Sequence, residues 1–201
     1  MTMAKRVLIL ATDGFEQSEL LEPKKALEAA GIETVVASPK TGSIKGWNHT
    51  DWGESVKVDM RLDAVEADDF DALLLPGGQM NPDALRLESR VIELVEEFDD
   101  MDKPIAAICH GPWLLVEADI IDGRTVTGWP SIRTDLENAG ADVVDQAVAI
   151  DGNLITSRKP DDIPMFAQAL IDALEEDEEE EDEKGWEEEE EEGLLADEDE
   201  D

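Results

Sequence analysis

Short, unbroken apolar runs recur along the chain, separated by stretches whose apolar residues fall three or four apart. The runs are VLILA (7–11), VVA (35–37), ALLL (72–75) and IAAI (105–108). Each is too short for a helix and too continuous for a strand with one wet face, so each reads as a strand buried on both sides. The helical spacing is clearest over 18–31, where Leu20, Leu21, Ala26, Leu27 and Ala30 recur and Gly31 closes the segment. Pro82 opens a single helix reaching residue 100, Pro112 opens another, and a further helix covers 131–140. In the last helix, 161–174, Ile163, Phe166, Leu170 and Leu174 share one face. VAIDGNLITS (148–157) reads as a hairpin turning at Asp151-Gly152, and residues 40–60 read as irregular, with short extended pieces such as SVKVD.

Strands alternating with helices predict an α/β fold around a mostly parallel central sheet. In such sheets ligands bind beyond the carboxyl ends of the strands. Three predicted loops meet there: Asp13–Gln17, Gly77–Asp83 and Cys109–Gly111. They bring Glu16, a Gly-Gly backbone and a Cys-His pair to one place.

Cys109 is the only cysteine, so an intramolecular disulfide is excluded and a reducing compartment is expected. It stands where a buried strand stops and a tight turn leads into a helix. A thiol facing the free N–H groups of a helix start loses its proton easily and serves as a nucleophile. His110 is one of two histidines. The other, His49, reads as a loop or interface residue, and a metal site is poorly supplied. No phosphate-binding or dinucleotide fingerprint occurs, so no cofactor is expected. Trp47, Trp52, Trp113 and Trp129 suit pocket walls and subunit contacts.

Charge changes the picture of the surface and the tail. The chain carries 53 acidic and 16 basic residues, net −37, with 41% hydrophobic content over 201 residues. Residues 175–201 hold 20 of the acids and one lysine, which predicts a disordered acidic tail after a domain spanning 1–174. The remainder, 33 acidic against 15 basic residues, is still at −18, a surface suited to high salt. Nothing would neutralise phosphates, so nucleic acid is excluded as a partner. No apolar stretch is long enough to span a membrane, and a cytoplasmic protein is expected.

Four segments, PGGQMNPDALR, AAICHGPWLL, TGWPSIRTDLENAGA and DGNLITSRKPDDIPMF, together resemble the ThiJ/PfpI superfamily, and within it the PfpI-like intracellular proteases. The resemblance covers Val7 to Leu174. It implies a flavodoxin-like sandwich of the class I glutamine amidotransferase type, with Cys109 at a nucleophile elbow and His110 as the catalytic histidine. It further implies that Glu16 approaches the sulfur and that the Gly78 and His110 N–H groups form an oxyanion hole. Asp83 would complete a triad across a subunit boundary, in a homodimer or a larger assembly such as a hexamer. The functions it implies are a cofactor-free stress enzyme acting on reactive carbonyls or glycated and peptide substrates, as in glyoxalase III and deglycase members, an oligomeric cysteine peptidase, or a non-catalytic redox sensor or chaperone-like stress protein.

Overall fold

The computed structural model describes residues 4–176. In chain order it forms β1 (Arg6–Leu10), α1 (Gln17–Ala29), β2 (Glu33–Ser38), β3 (Ser43–Asn48), β4 (Asp51–Lys57), β5 (Met60–Arg61) and β6 (Ala72–Leu75). Then come α2 (Met80–Leu85), α3 (Ser89–Asp100), β7 (Ile105–Ile108), α4 (Trp113–Glu117), β8 (Thr125–Val126), α5 (Arg133–Asn138), β9 (Asp142–Val143), β10 (Val148–Asp151) and β11 (Leu154–Ser157). The last helix, α6, covers residues 163–176. The acidic tail expected from residue 175 lies outside the described residues from 177 onward; 175 and 176 continue α6.

The apolar runs form the strands they predict. Seven strands align in the order β10-β11-β7-β6-β1-β2-β5. Every pairing is parallel except β10 with β11. Alternation along β1 divides the core: Leu8 and Leu10 enter one layer, Val7 and Ile9 the other. The first layer is closed by α3, whose Val91, Leu94, Val95 and Phe98 are all fully buried. Each such side chain contributes roughly 1.5–3 kcal/mol through removal of apolar surface from water. Leu20 and Leu27 of α1, with Phe166, Leu170 and Leu174 of α6, close the second layer. The result is the α/β sandwich that the alternating pattern predicts, with β1 beside β6 at the point where the strand order reverses.

Four local expectations need correction. The helix expected from Pro82 to residue 100 is two helices, interrupted at residues 86–88, and Leu87 between them is exposed. The side chain of Asn81, fully buried, accepts the Thr12 N–H at 2.8 Å and donates to Pro76 O at 2.9 Å. That anchors α2 to the loops, whereas α3 must turn its own stripe onto the sheet. Residues 43–57 form an antiparallel pair, β3 with β4, in place of irregular chain; Ile44 faces Val56 and both are buried. The C-terminal hairpin turns at Gly152-Asn153, because Asp151 still pairs with Leu154. The 131–140 segment opens with a tight turn at Pro130–Ile132 before α5 begins.

Candidate active site

The loops after β1, β6 and β7 meet at the carboxyl edge of the sheet. At the end of β7 the Cys109 N–H still donates to Ser157 O at 3.0 Å, completing the strand. Its carbonyl then accepts the Trp129 N–H at 2.9 Å, and the Gly111 N–H turns back to Ile108 O at 2.8 Å. These bonds hold Cys109 at φ 63°, the left-handed region that costs a side-chain-bearing residue about 1–3 kcal/mol. The expected elbow is present, and the thiol is buried at the floor of a pocket of about 650 Å³.

The imidazole of His110 lies beside the sulfur, with Nδ1 at 3.2 Å from Sγ and Nε2 at 3.5 Å from Ser131 Oγ. Trp129 stacks on the ring at 5.9 Å and Trp113 meets it edge-on at 5.1 Å. Burial lowers the pKa of His110, favouring the neutral ring.

Gly77 and Gly78 are required as glycines. A Cβ on Gly78, which has φ 79°, would lie 2.5 Å from Gly14 O and 2.6 Å from the Glu16 nitrogen. A Cβ on Gly77 would lie 2.3 Å from a Glu19 carboxyl oxygen and 2.7 Å from Cys109 Cβ. The first glycine therefore lets Glu19 and Cys109 meet, and the second lets the loop after β6 close against residues 14–16 of the loop after β1. The N–H groups of Gly78 and His110 are directed at the Cys109 sulfur and favour its ionised form. They are the two donors that the family resemblance implies for an oxyanion hole.

The acid at the sulfur is Glu19, not Glu16. Glu19 sits in the first turn of α1 with no exposure, facing the Cys109 thiol and the Gly77 and Gly78 N–H groups. Neither carboxyl oxygen has a partner at full hydrogen-bond geometry. Burial, reinforced by repulsion from Glu16, pushes its pKa up to about 8. The reading of an easily ionised thiol also needs correction. Burial pushes the Cys109 thiol up, an ionised Glu19 pushes it further, and α4 is too short to exert much pull on it. The two acids titrate as a coupled pair. While Glu19 keeps its proton the repulsion vanishes, and its O–H becomes a donor to sulfur.

Glu16 lies one step back, on the pocket wall with Trp47 and His49. Asp83 is exposed on α2 and is not among the residues lining the pocket. Of the remaining tryptophans, Trp52 is exposed and meets Trp47 edge-on at 5.5 Å. Among the described residues no cluster of three His, Cys, Asp or Glu side chains is placed to hold a metal ion. Among the same residues no helix is long and apolar enough to cross a membrane.

Comparison with known proteins places these residues in context. The model of the DJ-1/PfpI family matches residues 5–173. General stress protein 18 of Bacillus subtilis is 47% identical over 176 residues, covering 87% of this chain and all of that protein. A Pyrococcus abyssi protein named as a deglycase is 41% identical over 170 residues, covering 85% of this chain and 99% of its own length. Among solved structures, DJ-1beta of Drosophila melanogaster superposes with a TM-score of 0.77 at 31% identity, covering 87% of this chain and 95% of that one.

Proposed function

The chain belongs to the DJ-1/PfpI family, and from that premise we propose that it is a cysteine enzyme that removes reactive carbonyl compounds and their adducts on proteins. The observation that supports this most is the fully buried Glu19 carboxyl set against the Cys109 thiol, with two backbone N–H groups aimed at the same sulfur. A thiol beside a carboxylic acid that keeps its proton near neutral pH can add to an aldehyde and protonate it together. All of these groups lie within one subunit.

With methylglyoxal, the thiol gives its proton to His110 Nδ1, 3.2 Å away, as the sulfur bonds to the aldehyde carbon and the carbonyl pair moves to oxygen. The Gly78 and His110 N–H groups steady that oxygen, and the Glu19 proton neutralises it to a hemithioacetal. The Glu19 carboxylate then takes the C–H proton and returns it to the neighbouring carbonyl carbon while the hydroxyl proton moves to that carbon's oxygen, leaving a thioester, and His110 passes the thiol proton on to Glu19. Water, deprotonated by the neutral His110 ring, cleaves the thioester to a hydroxy acid, and the imidazolium so formed protonates the departing sulfur to restore the thiol. With an adduct on an amine, sulfur gives its proton to His110 and displaces the amine, which departs with the Glu19 proton, and the same steps follow.

A peptidase would need a further carboxylate on His110, and Asp83 of this subunit cannot be that group from its exposed place on α2. Only a second subunit could present it. The test is purified protein in molar KCl with methylglyoxal, a glycated peptide and a fluorogenic peptide as separate substrates. Turnover of the first two is expected, lost in Cys109→Ser and reduced at least about 100-fold in Glu19→Gln, the range for removing an acid–base group. Hydrolysis of the fluorogenic peptide with no carbonyl turnover would overturn the reading in favour of the peptidase.

A further inference from the structure

Packing makes glycine obligatory at residues 77 and 78, and the same two glycines leave the peptide between them free to turn. Turning it over changes only ψ of Gly77 and φ of Gly78, and with no Cβ on either side both orientations are sterically open. The orientation decides the chemistry. Every peptide bond among the described residues is trans, so the Gly77 carbonyl and the Gly78 N–H share a plane and point in opposite directions. In the structure the N–H is directed at the Cys109 sulfur. Turned over, the peptide would aim a carbonyl oxygen at the sulfur and at any oxyanion formed beside it.

Two donors hold the Gly77 carbonyl on the far side. The Glu16 N–H reaches Gly77 O at 3.2 Å, and Asn81 Nδ2 reaches it at 3.3 Å. Asn81 is itself fixed. Its side chain has no exposure, its Oδ1 accepts the Thr12 N–H at 2.8 Å, and its Nδ2 also donates to Pro76 O at 2.9 Å. The amide cannot be reversed, because Thr12 N–H needs an acceptor and the two carbonyls need donors. One side chain thus ties the loop after β1 to two successive carbonyls of the loop after β6. Turning the Gly77–Gly78 peptide would strand a buried donor on Asn81 and another on Glu16, which a folded interior resists.

We propose that Asn81 is a positioning residue that locks the Gly77–Gly78 peptide so that its N–H, and not its carbonyl, faces the reacting centre. Asn81 is not among the residues lining the pocket and acts only through this peptide. The role rests on the reading of the Gly78 N–H as an oxyanion donor in a carbonyl-processing site.

The test is Asn81→Asp, which keeps the shape of the side chain and the acceptor for Thr12 but removes the donors to Pro76 and Gly77. With methylglyoxal, kcat is expected to fall at least about tenfold with KM nearly unchanged, since full loss of one such donor is worth about 100-fold or more. A second readout needs no substrate. In amide spectra of the free protein the Gly78 proton should shift and exchange faster with solvent. The Gly111 amide, bonded to Ile108 O at 2.8 Å within the elbow, should stay where it is. Asn81→Ala, which puts no acid in the interior, carries the same readouts should Asn81→Asp fail to fold. A kcat retained well below the melting temperature overturns the proposal, as do Gly78 and Gly111 amides that move together, the mark of a residue that only supports packing. If the Gly78 amide moves alone and the wild type turns over no carbonyl, the lock stands and the carbonyl reading falls. If the wild type turns over methylglyoxal and Asn81→Asp changes neither kcat nor the Gly78 amide, the lock falls and the carbonyl reading stands.

Discussion

A carboxylic acid with no exposure and no well-formed hydrogen bond is costly unless it keeps its proton, and Glu19 is such a group. Its pKa rises from 4.5 to about 8 on folding. The native chain therefore holds a proton that the unfolded chain releases above about pH 4.5. The associated stability is complete below that value and drains away as pH climbs through the folded pKa. Glu19→Gln cannot ionise, so its melting temperature relative to wild type should rise between about pH 5 and about pH 9. At about 1.4 kcal/mol per pKa unit the swing is a few kcal/mol; a difference independent of pH would show that Glu19 is already ionised in the native state. The two members of the coupled pair differ in how readable they are. Cys109 is conspicuous as a lone cysteine at the end of an apolar run. Glu19 is not, because an acid in the first turn of a helix ordinarily needs no reason beyond the helix dipole. The signal lies in spacing: Glu19 shares one stripe with Pro23 and Leu27, at i, i+4 and i+8, all buried. Glu16, three residues earlier, matched the loop and missed the floor.

The β3–β4 hairpin supplies Trp47 and His49 to the pocket, yet it pairs with no strand of the central sheet. It is attached through a few bonds, among them Gly14 N–H to Lys45 O at 2.8 Å and Trp47 N–H to Phe15 O at 2.7 Å. Of its residues only Ile44, Gly46 and Val56 are buried. Strands β1, β6 and β7 lie between neighbours on both sides and carry nearly continuous buried runs. Native-state hydrogen exchange should therefore find the β3–β4 amides opening at far lower free energy than those of the central strands. Equal protection in both would show that the hairpin opens only with the whole domain. The same contrast explains what the sequence reveals of each element. The central strands announce themselves as apolar runs. The hairpin's alternation is interrupted by Gly46, Gly53 and a bulge between Lys45 and Trp47, so no two-residue period survives. The break between α2 and α3 is equally hidden, since Leu85 and Leu87 both look like core residues and only one of them is buried.

Across the whole molecule the charge is the dominant property. Even without the last 27 residues the chain stands at −18. Local pairing relieves a little of this, as where Asp145 bridges Arg133 and Arg158 at 2.8 and 2.9 Å, but exposed pairs of this kind are worth little. Self-repulsion should make the melting temperature rise with KCl from about 0.1 M into the molar range, past the point where the Debye length has shrunk to about 3 Å. A melting temperature indifferent to KCl over that range would remove the high-salt reading. The order of the strands bears on how the molecule is made. The outer neighbour of β7 is β11, so the bond that completes the elbow, Cys109 N–H to Ser157 O, joins residues far apart in the chain. During synthesis from the amino terminus, the strand bearing the thiol is available long before its covering strand and the Pro160 side of the pocket exist. The nascent chain thus passes through an interval in which its single thiol sits on an open sheet edge, with β11 and Pro160 not yet in place beside it. Electrophilic stress in that interval would modify the thiol without the selectivity of the finished pocket, so the protein is most vulnerable to such reagents while it is still being made.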